Sequence, residues 1–477
     1  MTASAREPYD LAVVGAGPAG LAGAAAAAEL GLRVALLDAA PHTGGRSAGT
    51  GPRRRLERSG AVHLPEHHVW SVTKDEAART SWSVHCLTGA DGDGRPVRVW
   101  ARAVLLATGA YERQLPFPGW TLPGVVAAGG AQAMLKSGLA LPGRLVVVAG
   151  SGPLLLAVAS SLTAAGAHVP AVVEASGYPA YARHPRVLAA NPGKAAEALV
   201  HGAALLRHRV RLRRHSAVTE AHGTDRVEAV TVSRLGRDWR PVPGTGRRIA
   251  CDALAVGHGL VPRIELATAL GCATRRTAGA TLALVVDGLQ ETSVRGVWAA
   301  GETGGAGGVE LARTEGELAG LAVAARLGAD RGGGGRIGRL RRRRERMRAF
   351  ADVMAAVHAP GPGWPCWLTD ATEVCRCEEV TAGRVREAVE GLGAGDARTV
   401  RLLTRAGMGW CQGRMCGPAV ARLAAHAGTS VGLPIGLPGD PTVEPPAEQR
   451  PFAVPVPLAA LAALDAPDPP APPSADQ

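Results

Sequence analysis

An α/β chain is predicted, with two strand–glycine–helix units of parallel-sheet type ahead of a small helical module. Three observations carry that expectation: a glycine-rich turn between an apolar strand and a small-residue helix at 11–38, a second such turn at 144–176, and four cysteines gathered between 375 and 416. The 477 residues allow two or three domains, at roughly 100–200 residues each. A content of 46% hydrophobic and 20% charged residues excludes extended disorder, collagen and coiled coil over most of the length.

The first unit reads LAVVGAGPAGLAGAAAAAELGLRVALLD. A short strand runs into Gly15-Ala16-Gly17-Pro18-Ala19-Gly20, a helix follows, and a second strand leads to Asp38. Gly15 permits the tight turn, Gly17 lets the backbone approach a pyrophosphate, and Gly20 lets helix and strand pack closely. The helix N-terminus then offers free N–H groups and a positive dipole end to the phosphates. Asp38, 23 positions after Gly15, is placed to accept hydrogen bonds from a ribose diol. The glycines alone would suit a purely structural turn; strand, turn, helix and acid in order point to a nucleotide.

The second unit carries Gly150-Ser151-Gly152, a helix, and a strand ending at Glu174. Its third glycine position is Leu155, whose side chain is expected to push the helix away from the strand. No arginine closely follows Glu174 to receive a 2′-phosphate, which argues against NADP. NAD or another adenine nucleotide, and an inherited fold with a degraded site, both remain open.

Charge is uneven. The formal net charge is +12, nearly all of it arginine, and residues 331–348 hold nine Arg against one Glu. With the Ala and Gly excess this looks like the codon bias of a GC-rich genome, which weakens any inference from basicity to nucleic acid. An aromatic content of 3% supplies no stacking platform for single strands. The basic run continues into AFADVMAAVHAP as an expected connecting helix, most simply a solvated face, with an acidic partner subunit or an anionic membrane surface as the other readings. Residues 431–477 are Pro-rich, and their end is expected to be disordered. No secretory signal precedes LAVVG and no apolar stretch is long enough to span a membrane, so a cytoplasmic location is expected, with the inner face of the cell membrane left open.

Eight cysteines are too few for a disulfide scaffold, and clustered cysteines in a reducing compartment more often bind metal than pair. Cys375-Arg-Cys377 and Cys411-Gln-Gly-Arg-Met-Cys416 sit on loops between short helices, the first capped by Thr381, the second with a glycine stop, the third with Pro418 in its first turn. Four soft ligands suit iron–sulfur or zinc. The CxC with a distant CxxxxC fits zinc knuckles poorly, while reduced structural cysteines stay a third reading. Cys86, Cys251 and Cys272 are isolated and read as small packing residues.

Further motifs follow the same order. Gly44-Gly45-Arg46 extends the first unit, Ala107-Thr108-Gly109 ends the strand AVLLATG, and Gly301-Glu302 ends GVWAAGE. Set around an inserted second unit, they resemble the two-dinucleotide-domain, disulfide-reductase-like FAD enzymes. That resemblance implies FAD on Gly15, Gly17, Pro18, Ala19, Gly20 and Asp38, supported by the 44–46 and 107–109 segments. Glu302 stands where the family usually has Asp beside the ribityl chain. No redox CxxxxC or CxxC occurs in the flavin or second unit, so disulfide reduction is set aside. CRCEEVT and TRAGMGWCQGRMCGP closely resemble the bacterioferritin-associated-ferredoxin-like [2Fe–2S] module, in the version found in subunits of hydrogen cyanide synthase, opine oxidase and related amine or imino-acid (hydroxyproline) dehydrogenases. This implies Cys375, Cys377, Cys411 and Cys416 as cluster ligands.

The expected organisation is two Rossmann-like domains, the second inserted in the first, followed by a small helical [2Fe–2S] domain. The segments are 8–118 and 263–330 for FAD, 119–262 for the second dinucleotide unit, 331–365 for the basic linker, 366–430 for the cluster and 431–477 for the tail. The resemblance implies an electron-transfer subunit of a dehydrogenase acting on C–N bonds of amino acids, imino acids or opines. It also implies two partners, one a second FAD-bearing catalytic subunit, the other small and ferredoxin-like. The alternatives are a stand-alone NADH-dependent reductase, using Gly150, Gly152 and Glu174 for NAD, and a non-catalytic scaffold or redox sensor. No general base is assigned; His258, in VGHGLVP, is read as a packing residue.

Overall fold

The computed structural model describes residues 8–42, 50–74, 81–89, 94–138, 140–329, 334–430 and 452–462. Two sheets, one parallel throughout and one with a parallel core, organise the first 330 residues, as their apolar runs require. Strands such as LAVV, VALL and VVVA are apolar at every position, the pattern of strands covered on both faces. The first sheet runs Val62–Leu64, Val34–Leu37, Tyr9–Val14, Pro96–Leu106, Trp82–Thr88, His67–Lys74. Its first four strands are parallel and the last two antiparallel. The long strand Pro96–Leu106 serves two partners on one edge: its start pairs with Trp82–Thr88, and its end with Val297–Ala299, which returns from far along the chain.

Between those returns lies the inserted unit. Its sheet is parallel throughout, in the order Arg211–Arg214, Ala171–Glu174, Val146–Gly150, Ala253–Gly257, Val125–Ala127. A three-stranded antiparallel sheet, Ser216–His222, Ala229–Arg234 and Arg247–Ala250, lies beside it. The chain crosses between the two bodies through an antiparallel pair, Ala110–Glu112 with Leu260–Pro262.

Helix Pro18–Ala28 is buried almost all round and crosses helix Val309–Arg326 at glycines. A Cβ on Gly316 would lie 2.0 Å from the Ala19 carbonyl oxygen, and one on Gly320 would lie 2.3 Å from that of Gly23. Interaxial separation is set by the side chains at the crossing, so here the small residues have a packing reason beyond composition.

The basic run forms one helix, Gly334–Val357, and its arginines divide by face. Arg336 pairs with Glu317, Arg343 with Glu310 at 3.6 Å, and Arg344 and the buried Arg348 with Glu315. These positions fall near one stripe of the helix, and Glu315 is 1% exposed. Arg339, Arg341, Arg342 and Arg346 remain exposed. The expected solvated face is therefore half of the run; the other half is an ion-pair seam against helix Val309–Arg326.

The cluster module contains a short hairpin, Glu373–Cys375 with Val380–Thr381, and helices Ala382–Glu390, Ala397–Thr404 and Gly417–Ser430. Thr381 caps the first helix by accepting from the Arg384 N–H, and Asp396 caps the second by accepting from the Thr399 N–H at 2.9 Å. The expected glycine stop is replaced by Arg405, which takes the left-handed conformation at φ +67° and ends that helix before Gly407. The module shares a continuous core with the inserted unit. Trp367 stacks on Trp239 at 6.0 Å and 6°, and donates its indole N–H to the Trp239 carbonyl at 2.9 Å. Trp120 donates to the Glu373 carbonyl at 2.8 Å. His258 lies against both Trp239 and Trp367, so it has the packing role expected.

The tail is not loose throughout. Phe452 meets Trp70 edge-on, the Ala453 N–H donates to the Trp70 carbonyl at 2.9 Å, and a short helix covers Leu458–Ala462. The Pro-rich end lies outside the described residues. Among the described residues no helix is long and apolar enough to cross a membrane.

Gly316→Val tests the helix crossing: the added branches must force the two helices apart, lowering stability by about 2–3 kcal/mol in urea unfolding. An unchanged midpoint would show that the glycine contact is dispensable.

Candidate functional site

The first glycine turn is shaped by what glycine lacks. Gly15 holds φ +105°, and a Cβ there would lie 2.4 Å from the Ala107 carbonyl oxygen. A Cβ on Gly20 would lie 1.8 Å from the Gly15 carbonyl oxygen, whereas nothing lies within 4 Å of the Gly17 position. The turn is thus locked on two sides and open on the third, where backbone N–H groups at the start of helix Pro18–Ala28 can face an anion. Pro18 occupies the first turn, and Ala19 lies against Gly301, whose Cβ would be 3.0 Å from that of Ala19. Asp38 accepts from the Ala16 N–H and, at 2.7 Å, from the Ala40 N–H, and stays half-buried.

The other flavin-side segments converge here. Ala107 abuts Gly15, and Thr108 donates from Oγ1 to the Arg263 carbonyl at 2.6 Å, tying the turn before Gly109 to the chain leaving the inserted unit. The Gly301 N–H donates to Glu315 at 3.0 Å. Glu302, expected beside the ribityl chain, has its two oxygens on the Gly307 and Gly308 N–H groups at 3.1 and 3.0 Å, holding the turn into helix Val309–Arg326. Burial raises its carboxyl pKa. Gly44, Gly45 and Arg46 lie outside the described residues.

The second turn has the same backbone logic and a different occupant. A Cβ on Gly150 would lie 1.7 Å from the Gly257 carbonyl oxygen. Leu155 is accommodated with its side chain fully buried among Val146, Val148 and Val158. Glu174 is 0% exposed. It accepts from the Gly152 N–H at 3.0 Å, the Ser176 N–H at 2.9 Å and the Tyr178 hydroxyl at 3.2 Å. His358, just beyond the connecting helix, places Nδ1 3.5 Å from Glu174, and its carbonyl accepts from the Ser151 hydroxyl at 3.1 Å. Tyr181 lies 3.1 Å from His358 Nε2. The equivalent acid of the first unit, Asp38, is reachable; Glu174 is sealed under side chains that spacing in the sequence does not connect to it.

In the module the hairpin turn and the loop after Arg405 bring the four cysteines together. Cys375 and Cys411 both reach Cys416, and Cys377 reaches Cys411. The Gly407 N–H donates to Cys375 Sγ at 3.4 Å. Contact with Cys416, reinforced by backbone N–H groups, pulls the Cys375 thiol down to about 6 and Cys411 down to about 4; Cys416 moves up in consequence. Thiolates are the metal-binding form. Among the described residues no three His, Cys, Asp or Glu side chains close on a single-ion position. Four sulfur donors gathered from two loops suit an iron–sulfur cluster, which cysteine thiolates hold. Cys86, Cys251 and Cys272 are buried with thiols raised by desolvation, the state of inert packing residues.

Known proteins agree with this geometry. Residues 9–324 match the pyridine nucleotide-disulphide oxidoreductase family, and residues 373–426 match the BFD-like [2Fe-2S] binding domain. The HcnB subunit of hydrogen cyanide synthase from Pseudomonas protegens is 33% identical over 423 residues, covering 85% of this chain and 89% of its own. An opine oxidase subunit of Rhizobium meliloti strain 1021 is 34% identical over 475 residues, covering 94% and 97%. The structure of L-proline dehydrogenase from P. horikoshii superposes with a TM-score of 0.65 at 20% identity, covering 95% of this chain and 79% of that one, and so shares the fold. The chain belongs to the pyridine nucleotide-disulphide oxidoreductase family, as a member with FAD and a [2Fe–2S] cluster for cofactors.

Proposed function

We propose that this chain is the electron-transfer subunit of a multi-subunit dehydrogenase that oxidises C–N bonds of amino acids, imino acids or opines. In that assembly substrate oxidation occurs on a second FAD-bearing subunit, while a small ferredoxin-like chain completes the complex. Electrons leave to a respiratory or artificial acceptor. The observation that carries the reading is the single core joining the cysteine module to the inserted unit through Trp239, Trp367 and Trp364, which makes the module an integral part of a flavoprotein fold. Its support for the substrate class is the near full-length similarity to subunits named for hydrogen cyanide synthase and opine oxidase.

FAD accepts electrons in pairs and releases them singly, while a [2Fe–2S] cluster accepts one at a time. The chain's own residues supply position and insulation. Gly15, Gly17 and Gly20 form the turn that would hold the pyrophosphate, with the helix behind it as anchor. Thr108 and Glu302 fix the turns on either side, and Cys375, Cys377, Cys411 and Cys416 would hold the cluster. The exposed Arg339, Arg341, Arg342 and Arg346 offer an acidic partner a cationic face.

The second dinucleotide unit, in this reading, is closed. Glu174, which would receive a ribose, is fully buried on Gly152, Ser176, Tyr178 and His358, and opening it would cost those bonds. That argues against the stand-alone NADH reductase.

Co-purification from the native host with subunit mass and cofactor analysis tests the assignment. A complex that reduces a dye with an amino or imino acid supports it, and a lone chain that oxidises NADH saturably contradicts it. NADH should leave the flavin of the purified chain oxidised in anaerobic absorbance measurements. Cys411→Ser should abolish the electron-paramagnetic signal of the reduced cluster while flavin content is retained; a surviving signal would remove Cys411 from the ligand set. Reversing two charges, Arg341→Glu with Arg342→Glu, should weaken partner association at least tenfold in a pull-down titration without changing flavin content, and unchanged affinity would exclude this face as the contact.

A further inference from the structure

A cavity of about 180 Å³ lies between the flavin body and the cluster module. One wall comes from the inter-domain strands and the hairpin after them, through Tyr111, Arg113, Pro262 and Leu282. The other comes from the module, including Gly407, Gln412 and Gly413 of the cysteine loop. Its charge is one-sided. Arg113, Arg276, Arg398, Arg401, Arg414 and Arg422 line it, against the single carboxylate of Glu265.

Only part of that charge is compensated. Glu265 pairs with Arg414 at 3.1 Å. Among the described residues no carboxylate forms an ion pair with Arg113, Arg276, Arg401 or Arg422. Arg113 donates to the Gly279 carbonyl at 2.7 Å. Arg401 Nε and Trp364 Nε1 are buried with no partner among the described residues. Burial, with Arg422 beside it, pushes Arg113 down to about 10, and burial with Arg276 beside it pushes Arg422 down as well. A fold that holds several guanidinium groups together, with donors left over, carries a cost that a dianion in the cavity would offset. Apolar side chains, Ile264, Leu282, Trp364 and Val420, complete the lining, so the anion has an organic body.

We propose that this cavity is a binding site for a small organic dianion, a dicarboxylate or a phosphate monoester, held by Arg113, Arg401 and Arg422 between the flavin body and the cluster module. Guanidinium forks match both carboxylate and phosphate oxygens. The site differs from the FAD turn, since none of its lining residues belongs to the Gly15–Gly20 segment or to Asp38.

Titration calorimetry of the FAD- and iron-loaded protein tests it, using succinate and phenyl phosphate with acetate as the monoanionic control. The expected result is saturable binding of succinate or phenyl phosphate at least tenfold tighter than acetate, and the tighter of the two identifies the anionic group. Arg113→Gln and Arg422→Gln should each weaken that binding at least tenfold with flavin and iron content unchanged. Binding no tighter than acetate for both probes, or wild-type affinity in the folded variant that retains its cofactors, would overturn the proposal.

Discussion

The stacked pair Trp239 and Trp367 is the constraint on which the arrangement depends. One ring comes from the antiparallel part of the inserted unit and the other from the start of the cluster module, at 6.0 Å and nearly parallel. Aromatic contacts of this kind add roughly 0.5–1.5 kcal/mol beyond the area they bury. Their larger effect is geometric. With the fully buried Trp364 and the bond from Trp120 to Glu373, they make the module part of the inserted unit's core. A module packed into a core is held in place on the inserted unit, as a tethered module would not be.

The two glycine turns differ in how their acids are covered. Both have a first glycine pressed against a carbonyl oxygen and an acid at the end of the next strand. The middle glycine of each turn, Gly17 and Gly152, faces open space, and in the first unit the acid is half-exposed. In the second, Glu174 is under Tyr178 and His358, and the position of Gly20 is taken by Leu155. The closing residue belongs to the end of the connecting helix, so the segment that joins the flavin body to the cluster module also seals the second unit. Sealing and joining are one structural act.

What could be read from the residues depended on whether the physics was local. The turn at Gly15–Gly20 was legible because its glycine spacing is local, although the Ala107 carbonyl that presses on Gly15 is not, and the CxC and CxxxxC pairs because each sits on one loop. The Glu174–His358 contact was not, since its partners are far apart in the chain and neither belongs to a motif. The arginine run was half legible: its charge was plain, but the acids that neutralise part of it, Glu310, Glu315 and Glu317, sit on another helix. The cationic cavity was invisible for the same reason, because Arg113, Arg276 and Arg422 come from three segments that only the fold brings together. Helix termination at Arg405 rather than glycine was a local event decided by backbone conformation that residue type does not favour.

The central claim is that the cluster drains the flavin. It is tested most directly by pre-reducing the flavin anaerobically and timing its reoxidation by a one-electron protein acceptor, in the wild-type chain and in a Cys411→Ser chain of equal flavin content. The account predicts a loss of at least tenfold in reoxidation rate without the cluster. Equal rates would show that electrons leave the flavin by another route.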